Sequence, residues 1–312
     1  MPFGLRSCPY CERMSHPLHL PYGSSPSGPD KLAITPSSAG WKFVGLRVVE
    51  LAPGDTRAIS TGSDEVIVLP LAGSCVVECG RRRFELTGRN DVFSRVSDFA
   101  YIPIDTEMRV SSVGGGRFAL PSARATRQLD PAYGAAEAVP VETRGAGQAT
   151  RQLNNFCAPE ACTTDKLIAV ECLTPAGNWS SYPPHKHDEA TEGEAILEEL
   201  YYFEMASVRV GAGSRRLGRG WALHRLYTMD GEIDLCEEVR QGDTILIPRG
   251  YHGPSAAAPG YDLYYLNVLA GPADDRTMAF CDDPAHHWIR ASWDTQVPDP
   301  RVPMCTASGP TG

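Results

Sequence analysis

The sequence has no long apolar run. No stretch of about 18 consecutive apolar residues, the length that can cross a bilayer as a helix, occurs in its 312 residues. The first 30 residues also have no apolar segment of the kind found in secretory signal peptides. We therefore expect a protein with no membrane partner and a cytoplasmic location.

Basic charge is also scarce. Lysine and arginine number 29 against 38 aspartates and glutamates, the net charge is -9, and the basic residues are scattered along the chain. Proteins that bind nucleic acid present a clustered basic surface to the phosphates. We therefore expect no nucleic-acid partner. Without an export signal, the 10 cysteines are expected to be reduced and mostly buried.

Short β-type runs fill the chain. From residue 41 onward, apolar and polar residues alternate over runs such as 65–69 and 100–103, each closed by glycine or proline. A second set of runs extends from about residue 167 to 269. Many short strands at close spacing predict an all-β barrel or sandwich, here present twice. A weak internal repeat, in which residues 101–103 match 246–248, indicates duplication of one β-domain.

Composition shifts divide the chain into five predicted segments. These are an N-terminal arm (1–30), a first β-domain (31–120), a polar connector (121–150), a second β-domain (151–295) and a tail (296–312). The arm carries Cys8, Cys11, His16 and His19, which have the composition of half a zinc knuckle but a spacing too tight for a standard finger.

The second β-domain contains the residues with the clearest chemistry. His185 and His187 are two apart, so on a strand both point to one face while Lys186 points away. Glu199 begins a strongly β-forming run, and His252 closes a Gly-Asp-x4-Pro-x-Gly-x-His element. Three imidazoles and one carboxylate suit Zn, Mn, Fe, Co or Ni better than Ca or Mg. We predict one divalent metal ion here, with Zn or Mn favoured.

This order of ligands resembles the metal-binding signature of the cupins. The resemblance implies an all-β fold of two tandem cupin barrels, each a double-stranded β-helix or jelly roll. Glu198 remains an alternative ligand, because a one-residue slip of the strand exchanges its faces; the cupin pattern favours Glu199. In the first half, Glu65 aligns with Glu199 and Glu107 with His252, and no histidine precedes Glu65. The first barrel is therefore expected to bind no metal.

The 11 residues between His187 and Glu199 form an insertion that is longer than in ordinary cupins, and many of them are acidic. An insertion beside a metal site suggests a lid or a substrate-binding loop. A solvated acidic hairpin explains the composition equally well, so both alternatives stay open.

Longer motifs resemble one cupin family in particular. Residues 177–188 (GNWSSYPPHKHD), 250–252, 260–272 and 34–41 are similar to the 5-deoxy-glucuronate isomerases, bicupin enzymes of myo-inositol catabolism. The resemblance extends from about residue 33 to 288 and implies conversion of the aldehyde 5-deoxy-glucuronate into the ketone 2-deoxy-5-keto-gluconate. The sequence departs from the family in the arm, in the tail and at residues 204–220, where Tyr-Tyr-Phe-Glu at 201–204 replaces the usual Tyr-Tyr-His-Arg.

An aldose-ketose isomerase needs a base to move the proton and a group that stabilises negative oxygen, a task for which a metal ion is suited. The base could be Glu199, an acidic residue of the insertion such as Asp188, or a hydroxide on the metal. Arg225 matches a family segment and is the candidate for the substrate carboxylate. The candidates for substrate hydroxyls, each of which could instead be a core residue, are Tyr182, Tyr251, Tyr265 and Asn267. Lys186 is expected to form salt bridges.

Three rival functions remain compatible with these residues. A related 4-deoxy-5-keto-uronate isomerase would use the same metal site on another sugar acid. A cupin dioxygenase would use the same ligands with Fe and an apolar substrate pocket. A storage or sugar-binding cupin would catalyse no reaction. For each enzyme a small molecule is the partner, and a homo-oligomer is expected because cupins commonly pair their barrels through strand edges.

Overall fold

The chain is described by a computed structural model, which covers residues 17–208, 216 and 218–311. Cys8, Cys11 and His16 of the half zinc knuckle lie outside the described residues. The first strands are β1 (His19–Leu20), β2 (Leu32–Ile34), β3 (Val44–Leu51), β4 (Thr56–Ser60), β5 (Asp64–Cys79), β6 (Arg82–Arg89), β7 (Phe99–Ile102), β8 (Glu107–Ser111), β9 (Gly116–Arg124), β10 (Ala132–Gly134), β11 (Val141–Arg144) and β12 (Arg151–Cys157).

The remaining strands are β13 (Ile168–Thr174), β14 (Trp179–Ser180), β15 (His185–Lys186), β16 (Glu198–Ser207), β17 (Ala222–Tyr227), β18 (Asp234–Val239), β19 (Thr244–Ile247), β20 (Tyr251–Ala257), β21 (Tyr261–Ala270), β22 (Cys281–Asp282), β23 (Cys305–Thr306) and β24 (Gly309–Pro310). The helices are short: α1 (Pro36–Ala39), α2 (Ile289–Ser292) and 3-10 turns at Ala136–Ala138 and Trp293–Thr295. Within the described residues, none of the helices has the length and apolar character needed to span a bilayer.

The first half of the chain forms a nine-stranded antiparallel sheet, the N-terminal sheet, in the order β10-β7-β5-β9-β3-β2, with β4, β6 and β8 attached. The long strand β5 pairs with β7 and β9 along its first part and with β6 and β8 along its second. The sheet therefore curls round into a barrel. Apolar side chains such as Val66, Val68, Ile102 and Phe118 pack inside it.

The second half forms two sheets. The large C-terminal sheet has the order β1-β19-β16-β21-β13-β12-β11, and the small C-terminal sheet has the order β18-β17-β20-β15-β22, with β14 beside β20. Both are antiparallel, and side chains from the two sheets pack together around Tyr201, Phe203, Leu226 and Tyr265. The all-β prediction is confirmed.

Strands also occupy the segments predicted as arm and connector. In the arm, β1 adds to the edge of the large C-terminal sheet through its pairing with β19. Between residues 121 and 150, β10 joins the N-terminal sheet and β11 joins the large C-terminal sheet. The connector is thus divided between the two halves.

The register of the two halves corrects one sequence alignment. Val66 pairs with Ile102 in the first half, as Glu199 pairs with Ile247 in the second. Val66 is therefore the counterpart of Glu199, and the prediction that Glu65 occupies that place is wrong by one residue. Because strand side chains alternate, the slip puts Glu65 on the other face of its sheet.

Glu65 and Glu198 are the true counterparts, and each binds the other half of the molecule. The carboxylate of Glu65 accepts three backbone N–H groups from residues 165–167, at 2.6–2.8 Å, just before β13. The carboxylate of Glu198 accepts three from residues 42–44, at 2.6–3.1 Å, at the start of β3. These reciprocal contacts join the two barrels.

Candidate metal centre and its cavity

Three buried side chains meet between the sheets of the second half. His187 follows β15 of the small C-terminal sheet, His252 lies on β20 of the same sheet, and Glu199 lies on β16 of the large one. Their donor atoms lie within 4.8 Å of one another. The Nε2 atoms of His187 and His252 approach the same Glu199 oxygen, Oε2, at 2.7 and 2.9 Å.

His185 lies beside this group. It pairs with His252 across β15 and β20, so the sheet register itself brings the two rings together. Its ring centroid is 4.4 Å from that of His252 and 6.5 Å from that of His187. The alternation expected for a His-x-His pair on a strand accounts for the shared direction of His185 and His187. Glu198, by contrast, binds backbone on the opposite side of the sheet.

The hydrogen bonds of the imidazoles indicate what the site can hold. Nδ1 of His187 lies 3.1 Å from the Leu197 carbonyl, and Nδ1 of His252 lies 3.2 Å from the Gly250 carbonyl. A carbonyl only accepts, so these Nδ1 atoms carry the protons and in the neutral rings each Nε2 presents a lone pair to Glu199. Among the described residues, the buried Nε2 of His252 has no partner at hydrogen-bond angles, although Glu199 Oε2 lies 2.9 Å away. Nitrogen lone pairs that face a carboxylate need positive charge between them, and a transition-metal ion supplies it, so the residues fit such an ion.

The electrostatics hold two members of the group in metal-binding forms. In the third, His187, burial lowers the pKa, but the facing Glu199 carboxylate outweighs it and raises the pKa above its ordinary value. Burial raises the pKa of Glu199, but the facing His252 and His187 outweigh it and lower the pKa below the usual value, so the carboxylate is ionised. Burial and the neighbouring His252 hold the pKa of His185 well below its ordinary range, which keeps that imidazole neutral. An anionic carboxylate and neutral nitrogens are the forms that bind metals.

A cavity of about 210 Å³ opens next to these residues. One wall is a single face of the large C-terminal sheet, where alternate residues of neighbouring strands point the same way. The wall residues are Leu153 on β12, Val170 and Cys172 on β13, Glu199 and Tyr201 on β16, and Tyr265, Asn267 and Leu269 on β21. Met278 and Phe280 cover another side. The site thus combines a metal-type donor set with room for a small polar ligand.

Two of the predicted substrate-binding residues line the cavity. Tyr265 stacks on Tyr201, and its hydroxyl lies 3.0 Å from the Ser181 hydroxyl, which also lies 3.1 Å from the Tyr201 hydroxyl. Asn267 also lines the wall, and its buried Oδ1 has no hydrogen-bond partner in the part of the chain that the structure describes. The sequence motifs did not indicate Ser181 or Tyr201 as cavity residues.

Four other predicted residues are not brought to the cavity wall. The Asp188 carboxylate accepts from Lys186 Nζ at 2.7 Å and from the Gly250 N–H at 2.8 Å. Arg225 pairs with Asp234 and lies over the Tyr227 ring. Tyr182 packs against Trp179, and Tyr251 packs against Tyr227. None of the four lines the cavity, and their roles in catalysis and substrate binding stay predictions.

The insertion after His187 folds back on itself. Lys186 pairs with Asp188, Glu189 and Glu194, which confirms its predicted salt-bridging role. Glu194 additionally accepts the backbone N–H groups of residues 188 and 189. The acidic side chains therefore surround one lysine, while Leu197 at the end of the segment reaches the cavity.

Three arginines in the cavity wall were missed by sequence reasoning: Arg144 on β11, Arg151 on β12 and Arg290 on α2. All lie far from the histidine motif in sequence. Arg144 and Arg151 are neighbours across two strands that flank the end of the predicted connector. An arginine in a short polar strand has no sequence signal that separates it from an exposed one. Only the pairing of β12 with β13 brings Arg151 to the same sheet face as Glu199.

Fold and site together define a class: a two-barrel cupin whose second barrel carries a candidate metal centre beside a cavity. Within that class the chain belongs to the KduI/IolB family, which matches residues 23–289. A 5-deoxy-glucuronate isomerase of Geobacillus kaustophilus is 37% identical over 88% of this chain and 96% of the relative. That of Bacillus subtilis strain 168 is 34% identical over 88% of this chain and 99% of the relative.

Solved structures agree with this assignment. An IolB-like protein of Salmonella typhimurium LT2 superposes with a TM-score of 0.78 at 32% identity and covers 87% of this chain and 98% of its own. An oxalate decarboxylase of Bacillus subtilis, described with Mn(II) centres, superposes with a TM-score of 0.55 at 12% identity, over 80% of this chain and 74% of its own. The second likeness concerns the fold alone and confirms the cupin architecture.

Proposed function

We propose that this protein is a metal-dependent aldose-ketose isomerase that converts 5-deoxy-glucuronate into 2-deoxy-5-keto-gluconate in myo-inositol catabolism. The observation that carries the proposal is the meeting of two imidazole Nε2 atoms and one carboxylate at the end of a cavity. The chain aligns over 88% of its length with relatives named 5-deoxy-glucuronate isomerase, and their name indicates the proposed substrate.

His187, Glu199 and His252 would hold the ion, with His185 as the fourth ligand. A bound divalent ion supplies Lewis-acid stabilisation of negative oxygen during the proton transfer. The carbonyl oxygens of Leu197 and Gly250 hold the rings of His187 and His252 through their Nδ1 atoms. Such outer hydrogen bonds orient metal ligands and fix their tautomers.

The cavity offers few groups for moving the proton. Glu199 is the one carboxylate among the described residues that line it. Asp188 is bound to Lys186 and to the Gly250 N–H, outside the wall. We therefore favour Glu199 over Asp188 for the proton transfer. Burial raises the pKa of both Tyr201 and Tyr265 well above the ordinary value, so their hydroxyls stay protonated and can donate to substrate oxygens.

Three finer points belong to the same proposal. Imidazole and carboxylate donors suit Zn or Mn among the candidate ions. The apolar interior of the first barrel, with Val66 in place of a glutamate and Glu107 exposed, supports one ion per chain. A cytoplasmic location and a homo-oligomeric assembly stay predictions.

The histidine ligands can be tested with a matched pair of substitutions. His187→Ala should lose the bound metal and lower turnover of 5-deoxy-glucuronate at least about 100-fold, while the circular dichroism spectrum stays unchanged, because it removes one ligand and leaves the strands intact. His287→Ala, at an exposed position, is the control and should keep both metal and turnover. Elemental analysis and NMR detection of the ketose measure the two effects.

The rival functions are tested with the same purified protein. Turnover of a 4-deoxy-5-keto-uronate alone would replace the proposed substrate. Oxygen consumption with a phenolic substrate, without isomerised sugar, would indicate a dioxygenase. Full turnover by metal-free His187→Ala would contradict the metal-dependent mechanism itself.

A further inference from the structure

The three cavity arginines differ in what they already bind. Arg144 Nε and Nη2 donate to the Glu142 carboxylate at 2.7 and 2.8 Å. Arg290 forms a two-pronged pair with Asp282. The charge of each is therefore met by a carboxylate of the protein.

Arg151 has no such carboxylate. It is 5% exposed, and its Nη1 donates to the Ala149 carbonyl at 3.2 Å. Its guanidinium also lies 5.8 Å from the Trp293 ring centroid. Among the described residues, neither an ion-pair partner nor a hydrogen-bond acceptor for its Nε and Nη2 is present.

An unpaired guanidinium in this position is costly. Burial lowers the pKa of Arg151, as expected for a cation that has lost water without gaining an anion. Arginine nevertheless stays charged in proteins. The buried Arg89 is the contrast, because it pairs with Glu171 across the two halves. A cavity that holds one uncompensated cation is suited to an anionic ligand.

The position of Arg151 relative to the metal residues suggests how that ligand lies. Arg151 and Glu199 stand on β12 and β16, which are separated by β13 and β21 in the same sheet. Three inter-strand steps of about 4.8 Å separate the two strands by roughly 14 Å. Arg151 is also displaced by about 20 Å along the strand direction, because Glu199 is level with Ile168 of β13 and Gln152 is paired with Leu173. The two backbones are therefore about 25 Å apart, and both side chains line the cavity between them. The unpartnered Oδ1 of Asn267 lies on β21, between the two ends.

We propose that Arg151 binds the carboxylate of an open-chain sugar acid whose carbonyl end lies at His187, Glu199 and His252. This inference rests on the proposed function and adds the residue that selects acids over neutral sugars. A planar guanidinium presents two parallel N–H groups to a carboxylate, which gives direction as well as charge. Asn267 Oδ1, as an acceptor, would receive a hydroxyl from the middle of the chain.

Arg225 had the same role in the sequence-based expectation. Its guanidinium is about one-third exposed and pairs with Asp234 and with the Leu235 carbonyl on the neighbouring strand. It does not line the cavity. We therefore assign the carboxylate contact to Arg151 in place of Arg225.

Kinetics of three variants test the assignment. Arg151→Gln should raise the KM for 5-deoxy-glucuronate about 10- to 100-fold, the loss expected for one charge-assisted pair, with metal content unchanged. Arg151→Lys keeps the positive charge but lacks the two parallel N–H groups of the guanidinium, so its KM should lie between those of the wild type and Arg151→Gln. Arg83→Gln, which removes an exposed arginine of the first barrel, is the control. An unchanged KM in Arg151→Gln, or a KM increase in Arg225→Gln of the same size, would overturn the proposal.

A binding measurement separates this inference from the isomerase function. Calorimetry on the metal-loaded wild type should show D-glucuronate binding at least about 10-fold more tightly than its uncharged amide, D-glucuronamide. Arg151→Gln should bind the two equally.

Equal binding of the two compounds by the wild type would refute the role of Arg151 even if the protein converts 5-deoxy-glucuronate. Acid-selective binding that Arg151→Gln abolishes, without any isomerase turnover, would instead overturn the proposed reaction alone. Thermal melting of each variant checks that it is folded.

Discussion

Two adjacent glutamates on one strand have separate tasks. Glu199 faces the histidines, and Glu198 binds the backbone of residues 42–44 in the other half. Strand alternation alone sends the two side chains to opposite faces. Because both residues are glutamates, a difference between the variants at the two positions reflects the sheet face to which each side chain points.

Substitution of each glutamate by glutamine should therefore give opposite results. Glu199→Gln should weaken metal binding about 10- to 100-fold, because an ionised oxygen donor is lost. Glu198→Gln should keep the metal and lower the free energy of unfolding by about 1–3 kcal/mol, because it weakens the binding of three backbone N–H groups. Metal titration and urea unfolding measure the two quantities. Metal loss in Glu198→Gln would show that the strand register is shifted.

The sequence could predict much of the site at this scale. The His-x-His spacing and the later His252 element indicated residues that the structure places together, since their side-chain directions follow from strand geometry. The register of the first half could not be read, because an Asp-Glu-Val run offers two equally good alignments. Arg151 was missed because a charged residue at a strand start looks the same whether it faces solvent or a cavity.

At the scale of elements, Asp165 fixes the segment between the two barrels. Its carboxylate accepts the backbone N–H groups of Thr126 and Arg127 at 2.7 and 3.1 Å, and the Arg127 Nε at 2.6 Å. Burial raises the pKa of Asp165, but these donors outweigh it and lower the pKa to about 2. The segment after β9 is thereby tied to the approach to β13.

This pKa gives the stability contribution of Asp165 a definite pH dependence. A depressed folded-state pKa stabilises the protein above the unfolded value, near 3.9, and the contribution is lost as pH falls through about 2. Asp165→Asn should therefore lower the free energy of unfolding by about 1–3 kcal/mol at pH 7 and by progressively less below pH 4. Urea unfolding at pH 7, 5 and 3 measures the difference. A difference that does not change with pH would contradict this account.

The predicted connector shows why element boundaries were harder to predict than elements. Residues 121–150 are polar and rich in glycine, proline and alanine, yet they contain β10 and β11. Each strand has only three or four residues and pairs at a sheet edge. Such edge strands bury little apolar surface, so they carry no hydrophobic period.

At the scale of the whole molecule, charged contacts connect the barrels. Arg117 on β9 pairs with the buried Glu204 on β16 at 2.9 Å, and Tyr202 donates to the same carboxylate at 3.0 Å. The resemblance described in the sequence analysis leads us to expect arginine at position 204, where this chain has glutamate. The departure noted in the sequence therefore has a structural partner in the other half.

Exchanging the charges of Arg117 and Glu204 should show how much of the stability at this contact comes from their ionic attraction. Glu204→Arg alone should destabilise the protein by about 3–5 kcal/mol, because a cation at the buried position 204 would then face the partly exposed Arg117. The double variant Arg117→Glu/Glu204→Arg should recover more than half of that loss. Urea unfolding of the single and double variants measures the coupling. Equal stability of the two variants would show that the residues do not interact.

The central claim is that the ligand cluster of the second barrel holds one ion on which catalysis depends. The direct measurement is a metal titration of chelator-treated protein, in which bound ion and 5-deoxy-glucuronate turnover are recorded on the same samples. We expect turnover to rise in proportion to bound metal and to saturate at one ion per chain. Full turnover in the metal-free protein, or activity that appears only with a second ion, would contradict the account.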